Sequence, residues 1–166
     1  MCIRHLHTPC FTLNFMNQPE KIIGVIGGAE ADKVILDAAY ELGKLIAKNG
    51  WTLVCGGLGG VMAAACKGAV AAGGTTIGIL PGKQRGSANK YVTIPVVTAM
   101  SHARNAIIVR TADILVAVDG RYGTLSEIAL AKSINKRVIG LFTWDEVPGV
   151  EAVESPEEAI EIIRSL

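Results

Sequence analysis

At 166 residues the chain has room for one domain with a sizeable core, and with 50% hydrophobic and only 19% charged residues it is not a disordered segment. A net charge of +1 argues against a broad electrostatic surface for nucleic acid. No apolar run reaches the roughly 18 residues that a membrane span needs, and four cysteines without a CxxC pair fit a reduced, cytoplasmic protein.

Residues 1–19 differ from the rest: they show no periodicity and mix Cys, His, Pro and aromatics. They read as a flexible N-terminal extension without the apolar core of a signal peptide, and Met16 is a candidate natural start. His5 and His7 form an H-x-H pair that reads as part of a loose terminus. One domain is expected over residues 20–166.

From Lys21 onward strand and helix patterns alternate. Ile22 to Ile26 is a short apolar strand closed by Gly27-Gly28, and Val34, Ile35, Ala38, Leu42, Leu45 and Ile46 then recur at helical spacing up to Gly50. Thr52 to Cys55 is a second strand, followed by Gly56-Gly57-Leu58-Gly59-Gly60 and an alanine-rich helix to about Ala72. Cys55 and Cys66 sit in apolar segments as small buried hydrophobes. Thr76 to Leu80 is a third strand, Lys83 to Lys90 a polar loop, and Tyr91 to Val97 an extended segment that Pro95 pushes to a sheet edge. His102 to Thr111 reads as a helix. Ile114 to Val118 is apolar without alternation, as a strand covered on both faces should be. Gly120 and Gly123 then punctuate a tight turn, with Thr124 placed to cap the helix that follows. Arg137 to Phe142 is another strand, Trp144 to Glu154 a connection, and Ser155-Pro156-Glu157-Glu158 a strong helix start. Such alternation predicts an α/β fold, a Rossmann-like doubly wound parallel sheet with helices on both faces, which binds ligands outside the carboxyl ends of its strands.

Generic motifs are only partly met. Gly57-Leu58-Gly59 supplies two glycines of a dinucleotide fingerprint, but Met62 stands at the third, and no acidic residue ends the next strand to hold a ribose. Gly78 to Gln84 is one residue short of a P-loop and lacks its Ser or Thr. There is no G-x-S-x-G elbow and no metal-ligand cluster. Two glycine-rich helix starts remain, at residues 56–60 and 120–123, and both should open on one sheet edge with free N–H groups for an anion.

Gly56-Gly57-Leu58-Gly59-Gly60-Val61-Met62 and Tyr122-Gly123-Thr124-Leu125-Ser126-Glu127 resemble the two signatures of the LONELY GUY superfamily, long labelled "possible lysine decarboxylase". That superfamily holds cytokinin-activating nucleoside 5′-monophosphate phosphoribohydrolases and molybdenum cofactor carrier proteins, and the resemblance runs over roughly Lys21 to Leu166. Its second signature is usually P-G-G-x-G-T-x-x-E. Here Asp119 replaces the proline and Arg121 a glycine, while Gly120, Gly123, Thr124 and Glu127 match. The hydrolases also carry an Arg-Lys pair upstream; Arg104 matches the arginine and Asn105 replaces the lysine. His102-Ala103-Arg104-Asn105 is similar to the cofactor-carrier branch instead.

The resemblance therefore implies a carrier of a phosphorylated pterin, with the molybdenum cofactor as cargo and no cofactor required. Its ligand-binding residues would be Gly27, Gly57, Gly59, Gly60, Met62, Arg104, Asn105, Gly120, Arg121, Gly123 and Thr124. The alternative is a phosphoribohydrolase, with Arg104 and Glu127 as catalytic residues; a non-catalytic relative with a degenerate site is a third reading. Breaking an N-glycosidic bond builds oxocarbenium charge that Glu127 would stabilise. Lysine decarboxylation is not expected, since nothing suggests a pyridoxal-phosphate lysine. The resemblance also implies a homo-oligomer, a dimer or tetramer. Bland readings stand beside these: Thr124 to Glu127 is itself a capping-box pattern, Arg104 can be an ordinary surface arginine, and the glycines at 56–60 can serve packing alone.

Overall fold

The computed structural model describes residues 21–144 and 146–166; the N-terminal extension, with Cys2, Cys10 and the H-x-H pair, lies outside them. Seven strands form one all-parallel sheet: β1 (Ile22–Gly27), β2 (Thr52–Cys55), β3 (Thr76–Leu80), β4 (Ile94–Val97), β5 (Ile114–Val118), β6 (Val138–Leu141) and β7 (Val150–Val153). Their order is β4-β3-β2-β1-β5-β6-β7. The helices are α1 (Lys33–Lys48), α2 (Val61–Ala71), α3 (Asn105–Thr111), α4 (Tyr122–Ser133) and α5 (Pro156–Arg164). This is the expected Rossmann-like architecture.

Strand alternation explains the two layers. In β5, Ile114, Val116 and Val118 join a core cluster with residues of α1, α2 and α5, while Leu115 and Ala117 join a second cluster with α3 and α4. All five β5 residues are buried, which is why the run shows no polar alternation. Three helices thus cover one face and two the other. β1 lies at the centre, paired with β2 on one side and with β5 on the other, Ile23 opposite Ile114 and Gly27 opposite Val118. The strand order reverses direction here, between β1 and β5, and this is the crevice where such sheets accept ligands.

Several expectations hold and several need correction. Pro95 does sit in an edge strand, β4, where no further strand needs its missing N–H. Only Ile94–Val97 of the predicted extended segment is strand. Within 144–154, read as a connection, Val150–Val153 forms edge strand β7, and Arg137 and Glu151 pair at 2.7 Å between β7 and the start of β6. The predicted helix from His102 is a 3₁₀ turn (Ser101–Arg104) that passes into the α-helical α3. Thr124 is not a cap: α4 starts at Tyr122 with Arg121 as the flanking residue, so Thr124 lies third in the helix, buried. Ser155 does cap α5, its hydroxyl accepting from the Glu158 N–H. Cys55 and Cys66 are free thiols, fully buried, with Sγ atoms 3.5 Å apart.

Candidate functional site

A cavity of about 380 Å³ opens at the carboxyl ends of β1, β2 and β5. From β1 and its following turn come Gly27, Gly28 and Glu30; from the β2 side come Gly56, Leu58 and Met62. The 3₁₀ turn and α3 supply His102, Arg104 and Asn105. The turn after β5 and the first turns of α4 supply Asp119, Arg121, Gly123, Thr124 and Glu127. The two glycine-rich helix starts therefore face one space. Gly57, Gly59, Gly60 and Gly120 do not line it.

Three of those glycines shape the walls instead. Gly57 and Gly60 adopt φ of 73° and 61°, which side chains disfavour. The loop they turn is fixed in place: Val61 donates its N–H to Gly28 O at 3.0 Å, and Asn89 donates its N–H to Gly57 O and its amide to Leu58 O, both at 2.9 Å. Gly59 is unconstrained, with only Ala29 O at 3.5 Å from an added Cβ. Gly120, with φ of 109°, leaves its room to the Thr124 side chain. Helix geometry leaves the first-turn N–H groups of α2 and α4 without intrahelical acceptors, Met62 and Ala63 in one and Gly123 and Thr124 in the other.

Arg104 and Glu127 meet on the floor. Both are more than nine-tenths buried, and Arg104 Nη1 lies 3.7 Å from Glu127 Oε1, close for a charge pair but long for a hydrogen bond. The Arg104 Nε is buried and has no hydrogen-bond partner among the described residues. Gly56 gives the guanidinium its space, because a Cβ there would stand 2.5 Å from Nη2. Asn105 donates to Ser126 Oγ at 3.2 Å, and Ser126 donates to Gly123 O at 2.7 Å, so Asn105 braces the first turn of α4. Glu127 is the sixth residue of its helix, one turn too deep for a capping box.

Burial raises the Glu127 carboxyl to about 7, against the opposing pull of Arg104. Burial also lowers Arg104 from its ordinary value, with Glu127 acting in the other sense. A carboxyl with a raised native pKa favours the fold while protonated, so this contribution is complete below the unfolded value and is lost as pH rises through about 7. The unfolding free energy from urea melts should accordingly fall for the protein between about pH 5 and 7, by on the order of 3 kcal/mol at most. In Glu127→Gln that slope should flatten; an unchanged slope would place the titrating group elsewhere.

The sequence reading placed Arg104, Asn105, Arg121, Gly123, Thr124, Glu127, Met62 and Gly27 here, and the structure brings all eight to the cavity wall. It did not single out Gly28, Glu30 or Leu58. The signal for Gly28 was present, since it closes the same strand as Gly27.

Residues 20–165 match the model of the SLOG cluster4 family. The chain belongs to that family. The SLOG cluster4 chain is similar to the molybdenum cofactor binding protein of Rippkaea orientalis, with 42% identity, a TM-score of 0.85 and coverage of 90% of this chain and 98% of that one. The molybdenum cofactor carrier protein of Chlamydomonas reinhardtii is 39% identical, with a TM-score of 0.81 and coverage of 88% and 97%. A cytokinin riboside 5′-monophosphate phosphoribohydrolase of Mycobacterium tuberculosis is 37% identical over 128 residues, which span 71% of this chain and 68% of that protein. Carrier proteins and a phosphoribohydrolase thus both stand among the proteins this chain resembles. No helix among the described residues is long and apolar enough to cross a membrane.

Proposed function

We propose that the chain binds a phosphorylated small molecule in this cavity and serves as a carrier of the molybdenum cofactor, working in the cytoplasm. The observation that carries the reading is the buried Arg104 guanidinium with its unpaired Nε, set beneath two glycine-rich helix starts. A buried cation without full hydrogen-bond partners costs free energy, and an anion in the cavity that pairs with the guanidinium offsets that cost. The phosphate would sit on the first-turn N–H groups of α2 and α4, and Arg121 adds a second cation to the wall. The similarity to two molybdenum cofactor proteins supports the cargo. The departures from the hydrolase pattern point the same way: Asn105 is used to brace α4, and Arg121 puts a cation where that pattern has a glycine.

One observation favours a second reading. Glu127 is a buried carboxyl at the cavity floor with a pKa of about 7, and ionised it would stabilise positive charge on a ribose. On that reading the chain is a nucleoside 5′-monophosphate phosphoribohydrolase, and Arg104 orients the carboxylate. A panel of nucleoside 5′-monophosphates, with chromatography for free base and ribose 5-phosphate, separates the two. The carrier reading expects molybdopterin binding and no free base from either the protein or Glu127→Ala. Base release that disappears in Glu127→Ala would replace the carrier with the hydrolase.

A further inference from the structure

Beside the first cavity lies a second of about 200 Å³, bounded by Gly120, Phe142, Thr143, Trp144 and Glu146. Gly120 lines this one, while its neighbours Asp119 and Arg121 line the first, so a single turn of backbone separates the two. That turn is clamped from both sides. Asp119 and Phe142 hold left-handed backbone conformations, with φ of 51° and 55°, at the ends of β5 and β6. Thr143 Oγ1 donates to Asp119 O at 2.6 Å and ties the two loops together. Non-glycine residues in such conformations mark places where the surrounding structure dictates the backbone.

The aromatic content is concentrated here. The chain has two Trp, three Tyr and three Phe, and one of each gathers at this edge. Tyr122 opens α4 directly between two first-cavity residues, Arg121 and Gly123, yet its own side chain is 82% exposed. Its ring lies 6.4 Å from that of Trp144, tilted by 35°. Trp144 is packed against the core on its other side, so its place is fixed, and its Nε1 has no acceptor among the described residues. Phe142 is 48% exposed. Exposed aromatics on a rigid base, beside a cavity with a carboxylate at its rim, make a stacking surface with a hydrogen-bonding edge.

We infer that Tyr122, Phe142 and Trp144 form a ring subsite that receives the fused heteroaromatic end of the ligand whose phosphate lies in the first cavity, with the Glu146 carboxylate accepting from the ring's amino and N–H edge. A 2-amino-4-oxopyrimidine ring, the edge shared by pterins and guanine, offers two adjacent donors to a carboxylate; a ring with the dioxo edge lacks the amino donor. This inference rests on the reading of the first cavity as a phosphate site.

Pterin rings fluoresce and are quenched when stacked on indole or phenol, which supplies a direct test. Pterin-6-ylmethyl phosphate would be titrated into the protein, Tyr122→Ala, Trp144→Phe and Glu146→Gln, with the 2,4-dioxo analogue and inorganic phosphate as further probes. The expected result is quenching on binding, displaced by inorganic phosphate. Tyr122→Ala should weaken the pterin probe about tenfold and restore much of its emission, with phosphate affinity unchanged. Glu146→Gln should remove the preference for the pterin over the dioxo ring. Binding of the pterin probe with equal strength and equal emission in all variants would overturn the ring subsite and leave the phosphate site standing. Failure of the protein to bind any of the three probes would overturn both. Tyr122 and Glu146 are exposed, so neither change threatens the fold.

Discussion

Arg104→Ala should cut the affinity for molybdopterin, and for inorganic phosphate as its simplest stand-in, by roughly 10- to 150-fold while the protein stays folded. The range follows from losing one hydrogen-bonding cation, about 1.5–3 kcal/mol. Survival of the fold follows from Glu127. Removing one partner of a buried ion pair is usually severe because a charge is left stranded. Here burial already holds the remaining carboxyl at about 7, so it takes up a proton and stays neutral. Its titration should move higher still once the cation that opposes burial is gone, a shift that carboxyl-carbon NMR reads directly. Arg104→Lys should recover little, because Gly56 leaves a slot fitted to a planar guanidinium and an ammonium cannot reproduce the fork. Calorimetric titration alongside thermal melts decides the matter. Unchanged affinity in a folded Arg104→Ala would remove the residue from the site.

The largest loss of stability is expected away from the cavity, at Gly43→Ala and Gly68→Ala. Helices α1 and α2 touch backbone to backbone: a Cβ added at Gly43 would run into the Ala65 carbonyl, and one added at Gly68 into the Tyr40 carbonyl. Backbone cannot step aside as a flexible side chain can, so each change forces the helices apart. Each should cost about 3 kcal/mol and lower Tm by roughly 6–12 °C. Gly86→Ala is the control, because nothing lies within 4 Å of its added Cβ, and it should stay within about 0.5 kcal/mol. Equal melting of all three variants would show that the helix contact is looser than described. Since α2 carries the glycine loop at its N-terminus, the two destabilised variants should also bind ligand more weakly than their residual stability explains.

Gly68 shows what sequence reading can and cannot reach. Its segment, Val61 to Ala71, is legible as a helix from its alanines, and a glycine inside it is a cost of about 1 kcal/mol with no local reason. The reason is a residue on another helix, and no spacing rule names it. The doubly wound sheet was legible because each apolar run and each glycine stop acts locally, and the rule that such sheets bind at their carboxyl edge then put both glycine loops together. β7 was not legible: four residues with a glutamate at the second position, lying on an edge, carry no apolar run to find. The start of α4 was misplaced because Thr124 is a good cap by type, whereas the chain turns into the helix three residues earlier, out of the left-handed Asp119 and Gly120. The Arg104–Glu127 pair was reached through family resemblance, not through spacing. Phe142, Trp144 and Glu146 carried no signal at all, since each looks ordinary until the β6 end is set beside the β5 turn.

The central place of β1 sets the order in which the molecule can be completed. Its first residue, Ile22, donates its N–H to the Asp113 carboxylate across a separation of 91 residues, and its strand pairs throughout with β5. No hairpin contributes to this sheet, so the centre closes only when distant parts of the chain meet, and contacts of that kind make folding slow. During synthesis the crevice cannot exist until β5 and α4 have left the ribosome. A ligand seated there therefore recognises only the finished molecule, and its effect should appear as a longer native lifetime with an unaltered refolding rate.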